Sequence, residues 1–146
     1  MPIPAFRPDG YLPVGLHRAL EAEVVDRFGR ESERRRALMA RVATWLSLAR
    51  TVQARRFLLD GSFVTTKPAP KDVDCACLLP LDFEEQYNAA TGAAVSLYDM
   101  LVSRQPEEIF GVFSLPQWEE WVDFFSQTGR PMAAARGLWR WCCDCQ

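Results

Sequence analysis

The most constraining feature of this sequence is a glycine–serine pair that is followed, after nine intervening residues, by two aspartates with one residue between them. The pair is Gly61-Ser62, and the aspartates are Asp72 and Asp74. The segment Arg56–Asp60 leads into the glycine, and Asp72–Leu79 begins at the first aspartate. Both segments are short and mostly apolar, which is typical of buried β-strands. The pattern therefore predicts two strands joined by a loop, with the glycine–serine turn and the aspartates converging on one site.

These four residues have the chemistry of a phosphate and metal site. Glycine lets the backbone approach a ligand closely, and the serine hydroxyl and adjoining amides can point at phosphate oxygens. Asp72 and Asp74 project from one face of a strand, where their charges repel unless a cation lies between them, and carboxylates suit Mg²⁺. We therefore expect Gly61 and Ser62 to bind phosphate and the two aspartates to bind Mg²⁺. A β-turn beside two exposed loop aspartates would give the same pattern.

Lysines and cysteines flank the predicted site. The only lysines of the chain, Lys67 and Lys71, lie in the loop before Asp72, where an ammonium group could meet a triphosphate. Two solvated loop lysines are an equally ordinary interpretation. Cys75 and Cys77 alternate with the aspartates, so we expect them on the opposite face, packed in the core and not bound to the same metal.

The order and spacing of Gly61-Ser62 and Asp72-x-Asp74 resemble the nucleotidyltransferase superfamily, which includes DNA polymerase beta-like enzymes and minimal antitoxin-type members. The resemblance implies that Gly61 and Ser62 contact nucleotide phosphate and that Asp72 and Asp74 are the catalytic, Mg²⁺-binding carboxylates. The segments Asp9–His17 and Leu59–Thr65 are also similar to a group of small bacterial proteins placed near this superfamily, for which no function is established.

The resemblance leads to two functional hypotheses. The first is Mg²⁺-dependent transfer of a nucleotide from ATP or another nucleoside triphosphate to a hydroxyl of a protein or small molecule. The second is a catalytically degenerate binding protein, such as the antitoxin of a bacterial toxin–antitoxin pair, whose partner is a toxin-like protein. Active superfamily members carry a third carboxylate on a later strand. The candidate strand Glu108–Ser114 has no acid in its interior, and Phe113 or Ser114 stands where one is needed.

Length and patterning predict one domain over residues 1–146, opened by an extended, proline-rich arm over 1–15. Helices are expected over 16–28, 32–49, 82–103 and 117–126, and further strands over 108–114 and 137–141. The fold class is α+β in a two-layer α/β arrangement. We expect a small mixed sheet of about three to five strands with helices packed on it, in a nucleotidyltransferase-like fold.

Charge and cysteine content narrow the partners and the compartment. A net charge of -2 gives no electrostatic reason for general nucleic-acid or membrane binding. No apolar run approaches the roughly 20 residues needed to cross a bilayer, and the amino terminus lacks the layout of a secretory signal. An odd number of cysteines, five, argues against a secreted disulfide framework. We therefore expect a cytoplasmic protein.

Three further segments have simple interpretations. The charged run Glu31–Arg36 is predicted to lie on the solvent side of a helix. The one-sided spacing of the aromatic residues in the helix over 117–126 is typical of core or interface packing. The terminal Cys142, Cys143 and Cys145 raise a third, weaker hypothesis of a thiol or zinc protein, although adjacent cysteines seldom coordinate one ion. The aromatic residues of the helix are Trp118, Trp121, Phe124 and Phe125.

Overall fold

A five-stranded mixed sheet runs through the centre of the protein. The structure, a computed structural model, describes residues 3–13, 15–103, 109–126 and 137–141. The strands of this part are β1 (Gly15–Arg18), β2 (Arg56–Asp60), β3 (Asp74–Leu78), β4 (Ile109–Val112) and β5 (Gly137–Trp141). They lie in the order β1-β5-β2-β3-β4, with β2 antiparallel to both its neighbours and the outer pairs parallel.

Five α-helices connect these strands within the described residues. A short 3-10 turn at Ser62–Val64 follows β2 directly. None of the helices is both long enough and apolar enough to span a bilayer. The helices are α1 (Glu21–Phe28), α2 (Glu33–Thr51), α3 (Phe83–Asn88), α4 (Gly92–Ser103) and α5 (Leu115–Ser126).

Helices cover both faces of the sheet. Along β2 and β3, alternate side chains enter two separate hydrophobic clusters. The larger cluster joins one face to α1, α2, α3 and α4, and the smaller one joins the other face to α5. The α+β class and the small mixed sheet are thus confirmed, but the predicted two-layer arrangement is wrong because α5 adds a third layer. The smaller cluster consists of Leu58, Ala76, Leu78, Val112 and Trp118.

The predicted arm packs against the domain over the residues that the structure describes. Residues 3–13 form neither helix nor strand, and Ile3 and Leu12 are buried. The ring of Phe6 lies 5.9 Å from that of Phe28, and the Arg27 guanidinium donates to the Pro4 carbonyl. These contacts fix the arm on α1. The arm ends earlier than predicted, since Gly15 already belongs to β1.

The helix predicted over 16–28 begins later in the structure than the sequence indicated. Residues 15–18 form β1, and α1 begins only at Glu21, although it ends before Gly29 as expected. The cause is a long-range contact: β1 pairs in parallel with β5, far along the chain. Such tertiary pairing overrides a weak local helical preference.

The assignments of α2, β2, β5 and α5 are confirmed, and the helix over 82–103 is wrong in one respect. Ser32 caps α2 by accepting from the Arg35 amide, and its predicted apolar stripe is buried. The third predicted helix divides into α3 and α4, because Ala90 has a φ of 55°. Asp82, the expected capping residue, makes no side-chain cap bond to the backbone amides of the helix. Its carboxylate accepts instead from the side-chain amide of Gln86.

Candidate functional site

The carboxylate of Asp72 is held directly against the glycine–serine turn. Its Oδ1 accepts from the Ser62 amide at 2.7 Å and from the Ser62 hydroxyl at 2.6 Å. The same hydroxyl oxygen accepts from the amides of Lys71 at 2.9 Å and Asp72 at 3.2 Å. Ser62 therefore closes both ends of the loop onto each other. Its donors, which the sequence suggested for phosphate, bind a carboxylate here.

Gly61 is required at this turn by both conformation and space. Its φ is 90°, in a region that residues with a side chain rarely adopt. A Cβ atom at this position would lie 3.1 Å from Asp72 Oδ1 and 3.1 Å from the Asp74 amide nitrogen. The glycine thus allows the start of β3 to approach the end of β2. This close approach is what brings Asp72 to Ser62.

Asp74 is the first residue of β3 and pairs in register with Asp60, the last residue of β2. Asp60 and Asp74 alternate with Leu59 and Cys75, which lie in the larger cluster, so both aspartates project toward the α5 face. Asp60 is only 2% exposed, whereas Asp74 is half-buried. Asp60 was not among the site residues predicted from the sequence. Its position one residue before the glycine was the available signal.

Asp72 lies just before β3, in the loop, and not on the strand as predicted. Asp72 and Asp74 therefore do not project as two consecutive same-face residues of one strand. The Asp72 carboxylate is held at the turn by the hydrogen bonds of Ser62, whereas Asp74 approaches the turn with its main chain, at Gly61. Cys75 and Cys77, by contrast, are buried in the larger cluster, as predicted. Burial raises the pKa of the Cys75 thiol well above its ordinary value.

The two lysines are exposed, and their main chains are anchored. The Lys67 carbonyl accepts from Arg35, and the Lys71 carbonyl accepts from Arg34 at 2.7 Å. The lysine side chains lie on the solvent side of the loop that leads into Asp72. The structure thus places two ammonium groups on a loop with a fixed backbone.

Arg35 is the principal residue that sequence reasoning missed. The predicted solvent-exposed run Glu31–Arg36 is wrong at this position, because Arg35 is 1% exposed. The Arg35 guanidinium donates to carbonyls at the end of α1 and in the segment 63–67. Burial lowers the pKa of this guanidinium from its ordinary value. Because a buried guanidinium must satisfy its donors, it holds four carbonyls in place. The acceptors are Phe28 at 3.1 Å, Phe63 at 2.7 Å, Thr65 at 2.5 Å and Lys67 at 2.6 Å.

Two neighbours of Arg35 extend this clamp along the loop. The Ser32 hydroxyl donates to the Pro68 carbonyl at 2.7 Å, and Arg34 donates to the Pro70 carbonyl at 3.0 Å. The amino-terminal turn of α2 therefore fixes the main chain between the 3-10 turn and Asp72. Within a run of charged letters, the sequence gives no indication of which arginine turns inward.

β4 and α5 bear on two further predictions from the sequence. β4 contains no acidic residue, and Phe113 and Ser114 follow it. Packing of the aromatic residues is confirmed for Trp118, which is buried, and for Trp121, which packs against the smaller cluster. The terminal cysteines and the side chains of Phe124 and Phe125 lie outside the described residues.

The described ranges of the chain offer no complete protein cage for a metal ion. No three histidine, cysteine, aspartate or glutamate side chains there form a group that could hold a metal ion. A cation at the turn would therefore rely on two carboxylates. That donor set fits Mg²⁺, which usually keeps several waters and binds one or two carboxylates together with substrate phosphates. It does not fit a zinc or calcium cage, which needs more protein ligands.

The fold and the site define an α+β domain with a three-layer core, whose aspartates are gathered at a glycine–serine turn between two antiparallel strands. The chain belongs to the family described as Family of unknown function (DUF6932), which matches residues 4–140. No curated protein and no solved structure matches the chain.

Proposed function

We propose that this protein binds a complex of Mg²⁺ and a nucleoside triphosphate at the Gly61-Ser62 turn and transfers a nucleotide to a hydroxyl of a protein or small molecule. The hydroxyl oxygen bonds to the α-phosphorus, pyrophosphate leaves, and the hydroxyl proton passes to solvent. One observation carries the proposal: Ser62 holds the Asp72 carboxylate at a turn that the main chain of Asp74 also approaches. The arrangement agrees with the nucleotidyltransferase-like pattern that the sequence resembles. Phosphoryl transfer depends mainly on positioning and neutralisation of charge, which a rigid pair of carboxylates and a cation supply.

Each residue has a specific role in this proposal. Asp72 and Asp74 are the ligands of Mg²⁺, which would neutralise charge on the transferred phosphate. Ser62 orients Asp72, and its amide and hydroxyl already stabilise an anionic oxygen, which is the chemistry that a phosphate oxygen requires. Lys67 and Lys71 would meet the outer phosphates as mobile point charges.

The two carboxylates also predict that binding of Mg²⁺ depends on binding of the nucleotide. Two carboxylates complete only part of the octahedral shell of Mg²⁺, so the nucleotide phosphates must supply further oxygens. We therefore expect the nucleotide and Mg²⁺ to bind together, with much weaker binding of either one alone. A site for free Mg²⁺ would need additional protein ligands.

A second function is favoured by β4, which carries no acid. If the site lacks a third carboxylate, the protein binds a metal–nucleotide complex but transfers the nucleotide poorly. Such behaviour is expected of a degenerate member that acts through a protein partner, such as an antitoxin. Asp60, buried on β2 opposite Asp74, could compensate only if ligand binding rearranges it, because the described side chains form no group of three metal ligands. Whether Asp60 can act in this way separates the two functions.

The experiment is calorimetry of ATP binding in the presence and absence of Mg²⁺. The wild type should bind ATP only with Mg²⁺. Asp74→Asn should raise the Kd at least about tenfold, because the substitution removes a charged ligand of Mg²⁺. Asp99→Asn, an exposed aspartate on α4, is the matched control and should bind as the wild type does. Absence of Mg²⁺-dependent binding by the wild type would refute both functions.

A second measurement separates transfer from binding alone. The wild type is incubated with ATP labelled in the α-phosphate and adenine, together with cell lysate and Mg²⁺. Label that becomes attached to an acceptor, and that is lost with Asp74→Asn, supports the transferase. Mg²⁺-dependent binding without labelled product supports the non-catalytic function.

A further inference from the structure

A groove between α5 and the outer strand of the sheet is separate from the site described above. Among the described residues, its lining comprises Gly111, Phe113, Gln117, Glu120 and Trp121, and its volume is about 610 Å³. Because β3 and β4 are parallel and Leu78 pairs with Val112, the groove lies beyond the end of β3 opposite to Asp74. It is open rather than enclosed, so it suits a segment of a larger partner better than a buried small ligand.

The walls of the groove combine aromatic surface with negative charge. Phe113 is 62% exposed at one wall. Trp121 forms the other and rests on Phe110, with ring centroids 4.7 Å apart, so its position is fixed. Glu120, which is exposed, lines the same groove. An aromatic face beside a carboxylate is the surface that a guanidinium prefers, since it stacks through its plane and pairs through its edge.

The charge of α5 points to the same kind of partner. Glu119, Glu120 and Asp123 are all exposed, and residues 115–126 include no lysine or arginine. An acidic helix attracts a basic partner and repels an acidic one. This argues against a nucleotide or nucleic acid as the occupant of the groove.

The shape of the groove indicates an extended partner segment. Gly111 has no side chain, so its main chain forms part of the lining, at a strand that has a neighbour on one side only among the described strands. A Cβ at Gly111 would point away toward Leu101, at 3.0 Å, on the opposite face of the sheet. Exposed backbone at the edge of a sheet is recognised by extended peptides.

We propose that this groove is a docking site for an extended, arginine-bearing segment of a partner protein. The arginine lies between Phe113 and Trp121 and pairs with Glu120, while the partner backbone runs along the edge of β4. The proposal does not depend on nucleotide binding at the Gly61-Ser62 turn.

The test uses the full chain and two blocked pentapeptides, Gly-Val-Arg-Val-Gly and the same peptide with citrulline, which keeps the shape of arginine without its charge. Binding is followed by NMR at the Gly111 amide and the Trp121 indole. The arginine peptide should bind saturably and the citrulline peptide at least about tenfold more weakly, as expected for loss of a charge-assisted pair.

Two substitutions on the same helix provide the matched comparison. Glu120→Gln should raise the Kd of the arginine peptide about tenfold, while Glu119→Gln, one residue away and outside the lining of the groove, should change it less than about twofold. Both positions are exposed, so neither change should unfold the chain. Equal weakening by both variants, equal binding of the citrulline peptide, or no binding would each overturn the proposal.

Discussion

Asp60 and Asp74 lie directly opposite each other across the β2–β3 pair, so two carboxylates project from one face at one end of the sheet. Opposed like charges destabilise a strand pair. Asp60 is almost fully buried, and water therefore screens the repulsion poorly. A cation at this end of the hairpin would relieve it.

We therefore expect Mg²⁺ with ATP to raise the melting temperature of the wild type, and to raise it less in Asp60→Asn. At about five times the Kd, a ligand that binds only the folded state contributes about 1 kcal/mol, or about 2–4 °C for a chain of this size. Differential scanning fluorimetry with ATP and MgCl₂, compared with ATP and NaCl of equal ionic strength, measures the shift. A shift that NaCl reproduces would show nonspecific screening, and an unchanged shift in Asp60→Asn would remove this residue from the site.

Replacement of Arg35 should destabilise the protein far more than replacement of its neighbour. Arg35→Met keeps the apolar stem but leaves four carbonyls, three of them buried, without their Arg35 donor. The expected cost is about 2–4 kcal/mol. Arg36→Met is the control, because Arg36 is exposed and donates only to the Arg30 carbonyl among the bonds observed, and it should cost less than about 0.5 kcal/mol. Urea unfolding followed by circular dichroism measures both changes. Similar losses in the two variants would show that the clamp contributes little.

Gly61→Ala should destabilise the fold and displace Asp72. The substitution places a side chain in a strained backbone conformation and within 3.1 Å of the Asp72 carboxylate, with an expected loss of about 1–3 kcal/mol. Gly92→Ala is the matched control, since nothing lies within 4 Å of a Cβ there. In a helix that change should be neutral or stabilise by up to about 1 kcal/mol. Calorimetric unfolding would measure both, and an unaffected Gly61→Ala would contradict the close approach at the turn.

Cys75 should be unreactive in the folded protein. Burial raises its thiol pKa, so the unfolded chain loses its proton first as the pH rises. The corresponding stability is fully present below the ordinary thiol pKa and declines above it. Alkylation by iodoacetamide, read by mass spectrometry of the peptide, should be slow in buffer and fast in urea. The loss of unfolding free energy between neutral pH and about pH 10 should be smaller in Cys75→Ala; rapid native alkylation would contradict this burial.

Local pattern was sufficient to predict much of the fold. The stripe of α2, the alternation of β2 and the position of Pro116 in the first turn of α5 are signals carried by neighbouring residues. What the sequence did not reveal depends on distant partners. Residues 15–18 are a strand only because β5 lies beside them, and the third layer follows from where α5 packs.

The site was predictable in composition and not in arrangement. Ser62 and Asp72 are joined by hydrogen bonds, and the Asp74 main chain approaches Gly61. The strand, however, begins only after Asp72, so hydrogen bonds of Ser62 do the positioning. The inward rotation of Arg35 depends on carbonyls more than 25 residues away, which no local rule can supply. Asp60 was overlooked because its importance comes from the strand opposite it.

The position of β5 between β1 and β2 has a consequence for synthesis. Gly15 pairs with Gly137, more than a hundred residues later, and among the described strands β1 touches the sheet only through β5. On the ribosome, the β2–β3 hairpin can assemble early, whereas the first strand must wait until residue 141 has emerged. The nascent chain thus exposes one sheet edge until β5 has emerged, a window in which chaperone binding or premature association would act.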